Sequence, residues 1–297
     1  MSDDQHAWMH IGSDQIEAEI NPLGAQLSVL RDRGGHDLLW NGEPSVWAGR
    51  APILFPIVGA LADGHYHLDS NTYALPRHGF ARGKPFKVVE ATPASAVLRL
   101  KADDSTLAVY PFDFELDIGF QIGGSTLIVK AAVRNNGSQN MPASFGFHPA
   151  FRWPLPFGCS RPSHFIEFEM NEPAPIRRLN AQGLLTSRRL PTPIHLRRLA
   201  LDDALFNDDA VIFDELRSRS VAYGAEQGPR IRVSFPDSPY LGVWTKPGAN
   251  FICIEPWHGV ADPEGFNGDF RDKPGVFNVA AGAALEFTTE IDLIPGG

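Results

Sequence analysis

The sequence predicts an all-β protein, a large antiparallel sandwich or barrel with few short helices. Apolar and polar residues alternate over long runs, as they do on strands with one buried face. Turn formers interrupt these runs every dozen residues or so, with 28 Gly and 25 Pro in 297 residues. No segment keeps the 3.6-residue apolar period of an amphipathic helix for long.

The first alternating run is residues 15–20, and residues 96–100 repeat the pattern. The clearest signal follows: Phe112, Phe114, Leu116, Ile118, Phe120 and Ile122 share one parity, Gly123, Gly124 and Ser125 form a turn, and Leu127, Val129, Ala131 and Val133 resume it. This predicts a long β-hairpin with one apolar face. Residues 165–169 and 230–235 are shorter strands, and a short helical turn is expected near Asp202 to Asn207. Residues 251–259 follow a turn-rich stretch and read as the second strand of a hairpin. A final strand runs through Leu285, Phe287, Thr289, Ile291 and Leu293. Residues 171–200, with six arginines, are the most loop-like part. Sheets of this size leave a groove on an outer face once their inner faces have packed.

Composition narrows the function. With 43% hydrophobic residues and 20 Phe the chain has ample material for a core, and its length suits either one large β domain or two fused halves. A net charge of -9 repels a phosphate backbone, so nucleic acid is not an expected partner. Residues 1–10 lack a basic region followed by an apolar run, and no apolar stretch of about 18 residues occurs, so no membrane partner and a cytoplasmic location are expected. Cys159 and Cys253 stand far apart without metal-type spacing and are expected to be reduced thiols. Phosphate-binding loops, dinucleotide glycine fingerprints and nucleophile elbows are all missing from the sequence.

Several residues are candidates for chemistry. On an extended strand Phe251, Cys253 and Glu255 share one face and Ile252 and Ile254 the other. Glu255 thus sits on an apolar strand, either paired structurally or held as a base of raised pKa. Trp257 offers a flat surface suited to the apolar face of a pyranose. His148, within FGFHPAF, is either a satisfied core histidine or a proton donor walled by its three phenylalanines. His78 lies between Arg77 and Arg82, which are either solvated or a shell for hydroxyls or a phosphate. Arg50 at the mouth of an apolar run would be costly to bury without a polar ligand. His65 and His67 look like a metal pair but find no third ligand at a recognisable spacing, and a polar hairpin edge accounts for them.

Taken in order, residues 21–27 (NPLGAQL), 47–56 (WAGRAPILFP), 78–82 (HGFAR), 145–151 (FGFHPAF) and 252–257 (ICIEPW) resemble the aldose 1-epimerase, or galactose mutarotase-like, family, in particular its LacX-like branch. The resemblance spans nearly the whole chain and implies a single domain over 1–297, folded as a β-supersandwich with a sugar groove across one sheet. It implies cofactor-free and metal-free interconversion of the α and β anomers of a free aldose, with Glu255 as general base, His148 as general acid and His78 polarising the ring oxygen. Arg50, Arg82, Asp209 and Trp257 would bind the sugar. The residues around His148 and Glu255 depart from the galactose-type pattern, so galactose itself is not implied.

Three other readings compete. A hexose 6-phosphate mutarotase would use Arg50, Arg77, Arg82 and Lys84 around the phosphate. A non-catalytic carbohydrate-binding protein would stack sugars on Trp257, Trp153 and Trp47. A glycoside hydrolase needs a second carboxylate, for which Asp262 is the obvious partner of Glu255.

Overall fold

Two antiparallel sheets face each other in the computed structural model, which describes residues 8–296. Residues 1–7, on which part of the N-terminal reading rests, lie outside the described residues. The larger sheet has nine strands, in the order Arg198–Ala200, Phe165–Phe168, Ser220–Gly224, Arg230–Ser234, Ala284–Ile294, Thr126–Asn135, Phe114–Gly123, Ser95–Lys101 and Lys87–Ala91. Its centre is the predicted hairpin, paired from Thr126 with Gly123 to Asn135 with Phe114. Phe112 falls before the strand, where its N–H bonds to the Tyr110 carbonyl.

The second sheet has six strands and runs Val211–Phe213, Tyr240–Trp244, Phe251–His258, Phe145–Phe147 and Ile53–Leu54, with Ala150–Arg152 also pairing to Phe251–His258. The inner faces of the two sheets interlock through aromatic rings. Phe145 stacks on Phe287 with centroids 5.3 Å apart, Phe168 meets Phe213 at 5.2 Å, and the Tyr223 hydroxyl donates to the Arg152 carbonyl at 2.6 Å. Ile252 and Ile254 join this core from the even positions of their strand. Burying rings of this size dominates the packing energy of such a sandwich.

A three-stranded sheet of Met9–Gly12, Ile16–Asn21 and Gln26–Asp32, with two two-stranded ribbons, completes the strands. Among the described residues helical structure is limited to the four-residue helix Asp104–Leu107, capped by Asp103, and short 3-10 turns, one of them at Asp203–Phe206. Within residues 171–200, Arg177 is held by Asp214 and Arg178 by two backbone carbonyls. The outer face of the six-stranded sheet carries apolar clusters of its own, one around Trp257 and one around Cys253.

Candidate active site

The strand Phe251–His258 is buried almost throughout, and its odd positions turn outward from the sandwich core. Across from it, Phe145–Phe147 and Ala150–Arg152 keep one register: Gly146 faces Trp257 and Ala150 faces Cys253. Pro149, which has no N–H to give the ladder, sits in the gap between the two short strands. Counting along the shared register, His148 falls opposite Glu255. His148 Nε2 lies 3.1 Å from Glu255 Oε2, with the two residues 7% and 2% exposed.

The walls around His148 are not its sequence neighbours. Phe145, Phe147 and Phe151 take the opposite parity and point into the inter-sheet core, so the expectation that they enclose His148 is corrected. Instead Trp47 stacks on its ring at 5.3 Å and 26°, and Trp244 meets it edge-on at 6.0 Å. Trp244 was not singled out from the sequence. It stands directly across the ladder from Cys253, at the end of the strand leading into the 244–250 turn.

Trp257 shares the face of Glu255 by the alternation of the strand, and glycines on the flanking strands leave room for its indole. A Cβ at Gly242 would stand 2.3 Å from the indole, and one at Gly146 would stand 2.7 Å from it. The indole Nε1 is buried without a hydrogen-bond partner.

His78 arrives from a loop that folds back on residues 53–59. His78 and Gly79 both have positive φ, 68° and 72°, and a side chain at Gly79 would collide with the Phe55 carbonyl. A histidine in that region is strained by roughly 1–3 kcal/mol, a conformation held here by hydrogen bonds from Phe80 and Ala81 to the Phe55 carbonyl. The Gly59 N–H donates to His78 Nδ1 at 3.1 Å, which leaves the ring proton on Nε2. The two histidine rings meet edge-on at 5.8 Å.

These groups line one cavity of about 150 Å³, together with Arg77, Arg82 and Asp209. Arg82 donates to the Arg77 carbonyl at 2.8 Å. Burial and the neighbouring Arg77 charge lower its pKa. Asp209 has φ 63°, accepts from the Ala210 N–H and has its carbonyl gripped by Arg178. A larger hollow of about 710 Å³ adjoins the cavity through Arg77, Leu179 and Asp209.

Arg50 does not line this cavity. Its backbone is tied to Gln26 and Ala150, which turns the side chain toward the N-terminal sheet. There it donates to the Ser28 carbonyl at 2.7 Å and lies over Trp8. Lys84 pairs with Asp103 and Ser105, away from the site. Trp153 is 1% exposed with Arg161 over its ring, so it offers no sugar platform. Asp262 is committed to a buried pair with Lys273 at 2.9 Å, which removes it as the second carboxylate of a hydrolase. His65 and His67 lie on the exposed side of a two-stranded hairpin.

Burial governs the protonation of the cavity. It drives the His148 pKa down to about 3 and that of His78 well below its ordinary value, with the charges of Arg82 and Arg77 acting in the same direction. Burial, then the Asp209 charge, pushes Glu255 well above the usual carboxylate range, against the pull of the Arg77 charge. A low-dielectric pocket disfavours net charge, so the His148–Glu255 pair holds one proton between its two members. Either placement of that proton leaves the pair neutral.

The sequence pattern of the aldose 1-epimerase family matches residues 9–271. The chain belongs to the aldose 1-epimerase family. Protein LacX of Lactococcus lactis subsp. lactis, in its chromosomal form, is 32% identical over 281 residues, covering 91% of this chain and 94% of LacX. A galactose mutarotase related enzyme from Lactobacillus acidophilus superimposes with a TM-score of 0.90 at 28% identity, covering 97% of each chain. A galactose mutarotase-like protein from Lactobacillus casei also reaches 0.90, at 26% identity and covering 97% and 100% of the two chains. Membership of this family of carbohydrate epimerases and the galactose mutarotase-like fold therefore rest on sequence and structure together. Among the described residues no helix is long and apolar enough to cross a membrane.

Proposed function

We propose that the protein is an aldose 1-epimerase whose 297 residues form one domain, interconverting the α and β anomers of a free aldose. The observation that carries this reading is the contact of His148 Nε2 with Glu255 Oε2 at 3.1 Å, beneath a tryptophan-walled cavity. The hydroxyl oxygen and ring oxygen of a hemiacetal are bonded to one carbon. An acid and a base that serve them must therefore be neighbours.

The opposite pKa directions rest the pair's proton on Glu255; its passage to His148 across the 3.1 Å contact readies the pair, and the ionised Glu255 then removes the proton from the C1 hydroxyl. The O–H electrons form the carbonyl, the C1 to ring-oxygen bond breaks, and His148 protonates the departing oxygen. The pair now carries its single proton on Glu255. Rotation about the C1–C2 bond presents the other carbonyl face, and the reverse transfers close the ring. The pair starts and ends with one proton, so no exchange with solvent is needed. His78, neutral and with its proton on Nε2, donates a hydrogen bond within the cavity, while Arg82, Asp209 and Trp257 hold the sugar.

A phosphorylated aldose is the second reading. Arg77 and Arg82 line the cavity without a carboxylate partner among the described residues, and the adjoining hollow leaves space for a substituent.

Polarimetry on freshly dissolved α-aldoses tests the reading. Purified protein should speed the approach to anomeric equilibrium in proportion to its concentration. A rate equal to the spontaneous one with every aldose and aldose phosphate tried would leave only a binding protein. A comparison of kcat/KM on glucose and glucose 6-phosphate separates the two substrate classes.

A further inference from the structure

One group in the site has no part in proton transfer. Cys253 is fully buried on the same strand face as Glu255, two residues before it, and is a free thiol. Its ladder neighbours are Ala150 and Trp244. One ligand atom each from His148, Cys253 and Glu255 lies within 4.8 Å of the others.

We propose that His148, Cys253 and Glu255 form a three-ligand site for a soft divalent cation of the zinc class, and that its occupation switches proton transfer off. Imidazole nitrogen, thiolate sulfur and carboxylate oxygen are the donors zinc takes, and three protein ligands with one open position is its arrangement at reactive sites. Ligand atoms around a tetrahedral zinc stand about 3.3–3.7 Å apart, given metal–ligand distances near 2.0–2.3 Å. The His148–Glu255 contact is already close to that spacing, so the thiol makes the larger adjustment. His148 and Glu255 line the cavity, so the open position faces it.

The charge balance favours this class of ion over a monovalent one. The pocket resists any single uncompensated charge. A dication bound by a thiolate, a carboxylate and a neutral imidazole leaves the site at zero net charge. Binding releases two protons, one from the Cys253 thiol and one from the His148–Glu255 pair. With His148 Nε2 and a Glu255 oxygen on the metal, the pair has neither a proton to give nor a free base. The ion is an inhibitor, not a cofactor. Sequence spacing could not show the site, because His148 and Cys253 are brought together by strand pairing across a hundred-residue gap.

Equilibrium dialysis with zinc and titration with cobalt(II), followed by absorption, decide the matter. The expected result is one equivalent bound, with a near-ultraviolet thiolate-to-cobalt band. Cys253→Ala should abolish the band, weaken zinc binding at least tenfold and leave metal-free mutarotation unchanged. Cys253→Ser, closer in shape, is the second variant should the alanine protein fail to fold, and Glu255→Gln should also weaken binding. Absence of a thiolate band, or equal zinc binding by wild type and both cysteine variants, would overturn the proposal. Dialysis reads binding directly, so it stands apart from the mutarotase reading. The inhibition arm rests on that reading: zinc should slow wild-type mutarotation at concentrations tenfold lower than it needs for the Cys253 variants. Equal sensitivity would refute the switch.

Discussion

The two sheets of this molecule treat polar groups in opposite ways. On the nine-stranded sheet, charges stay on the outer face and find partners: Arg99 grips Asp117 with two bonds of 2.6 Å, and Glu167 binds both Arg230 and Arg197. On the six-stranded sheet the outer face is sealed by tryptophans, and a histidine and a glutamate sit beneath them with almost no solvent. The first arrangement is neutral to slightly stabilising and tolerant of change. The second costs stability and creates reactivity, because desolvation moves the two pKa values away from their solution values in opposite directions. The sandwich core can carry that cost.

The largest expected effect comes from breaking the buried pair. His148→Asn and Glu255→Gln should each lower kcat by about 10² to 10⁴-fold, and the double variant little more than either alone, because the two act as a unit. Polarimetric rates at saturating aldose check this, and additive losses would contradict a shared proton. The same Glu255→Gln change should raise thermal stability at neutral pH. A carboxyl whose folded pKa lies above its unfolded value contributes stability at low pH and loses it as pH rises through the folded pKa, and a neutral amide does not titrate. A gain of about 1 kcal/mol would raise Tm by about 2–4 °C, readable by calorimetry.

A next, smaller effect concerns pH. Because burial lowers the His148 pKa to about 3, kcat/KM should show no acid limb near the ordinary histidine value of 6.5. The limb belongs where the pair takes up a second proton, far below. A drop in kcat/KM as pH falls through 6.5 would mean that the pocket is wetter than its exposure indicates.

Gly242→Ala tests the tryptophan wall from the ladder position opposite Glu255, leaving both members of the pair in the chain. A methyl 2.3 Å from the Trp257 indole must displace it, with a destabilisation of about 1–3 kcal/mol and a raised KM. The smallest effect should come from the other sheet. Arg99→Ala removes a partly exposed pair with Asp117 and a longer contact with Glu115, which keeps Lys101, so denaturant midpoints should report about 1 kcal/mol or less and kcat/KM should not change.

Much of this was readable in the sequence, because alternation carries fold and facing at once. The hairpin at 114–135 and the shared face of Cys253 and Glu255 both follow from a period of two. The same parity applied to 145–151 separates His148 from all three phenylalanines, so placing them around it set sequence proximity above strand geometry. Arg50 and Trp153 misled for another reason. Their types suit a sugar site, but their directions are decided by contacts with residues 26–28 and 161, which no local pattern predicts. Trp244 reaches His148 only through two strand pairings, so its role had no signal in its own neighbourhood.

The register that sets His148 opposite Glu255 also fixes where the protein's fragility lies. His148 and Glu255 are rungs of one ladder, with neighbouring strands about 4.8 Å apart, so their spacing is maintained by backbone hydrogen bonds and not by a hinge. Such a site has no separately melting part. On heating or in denaturant, the proposed mutarotase activity and tertiary structure should disappear along a single curve.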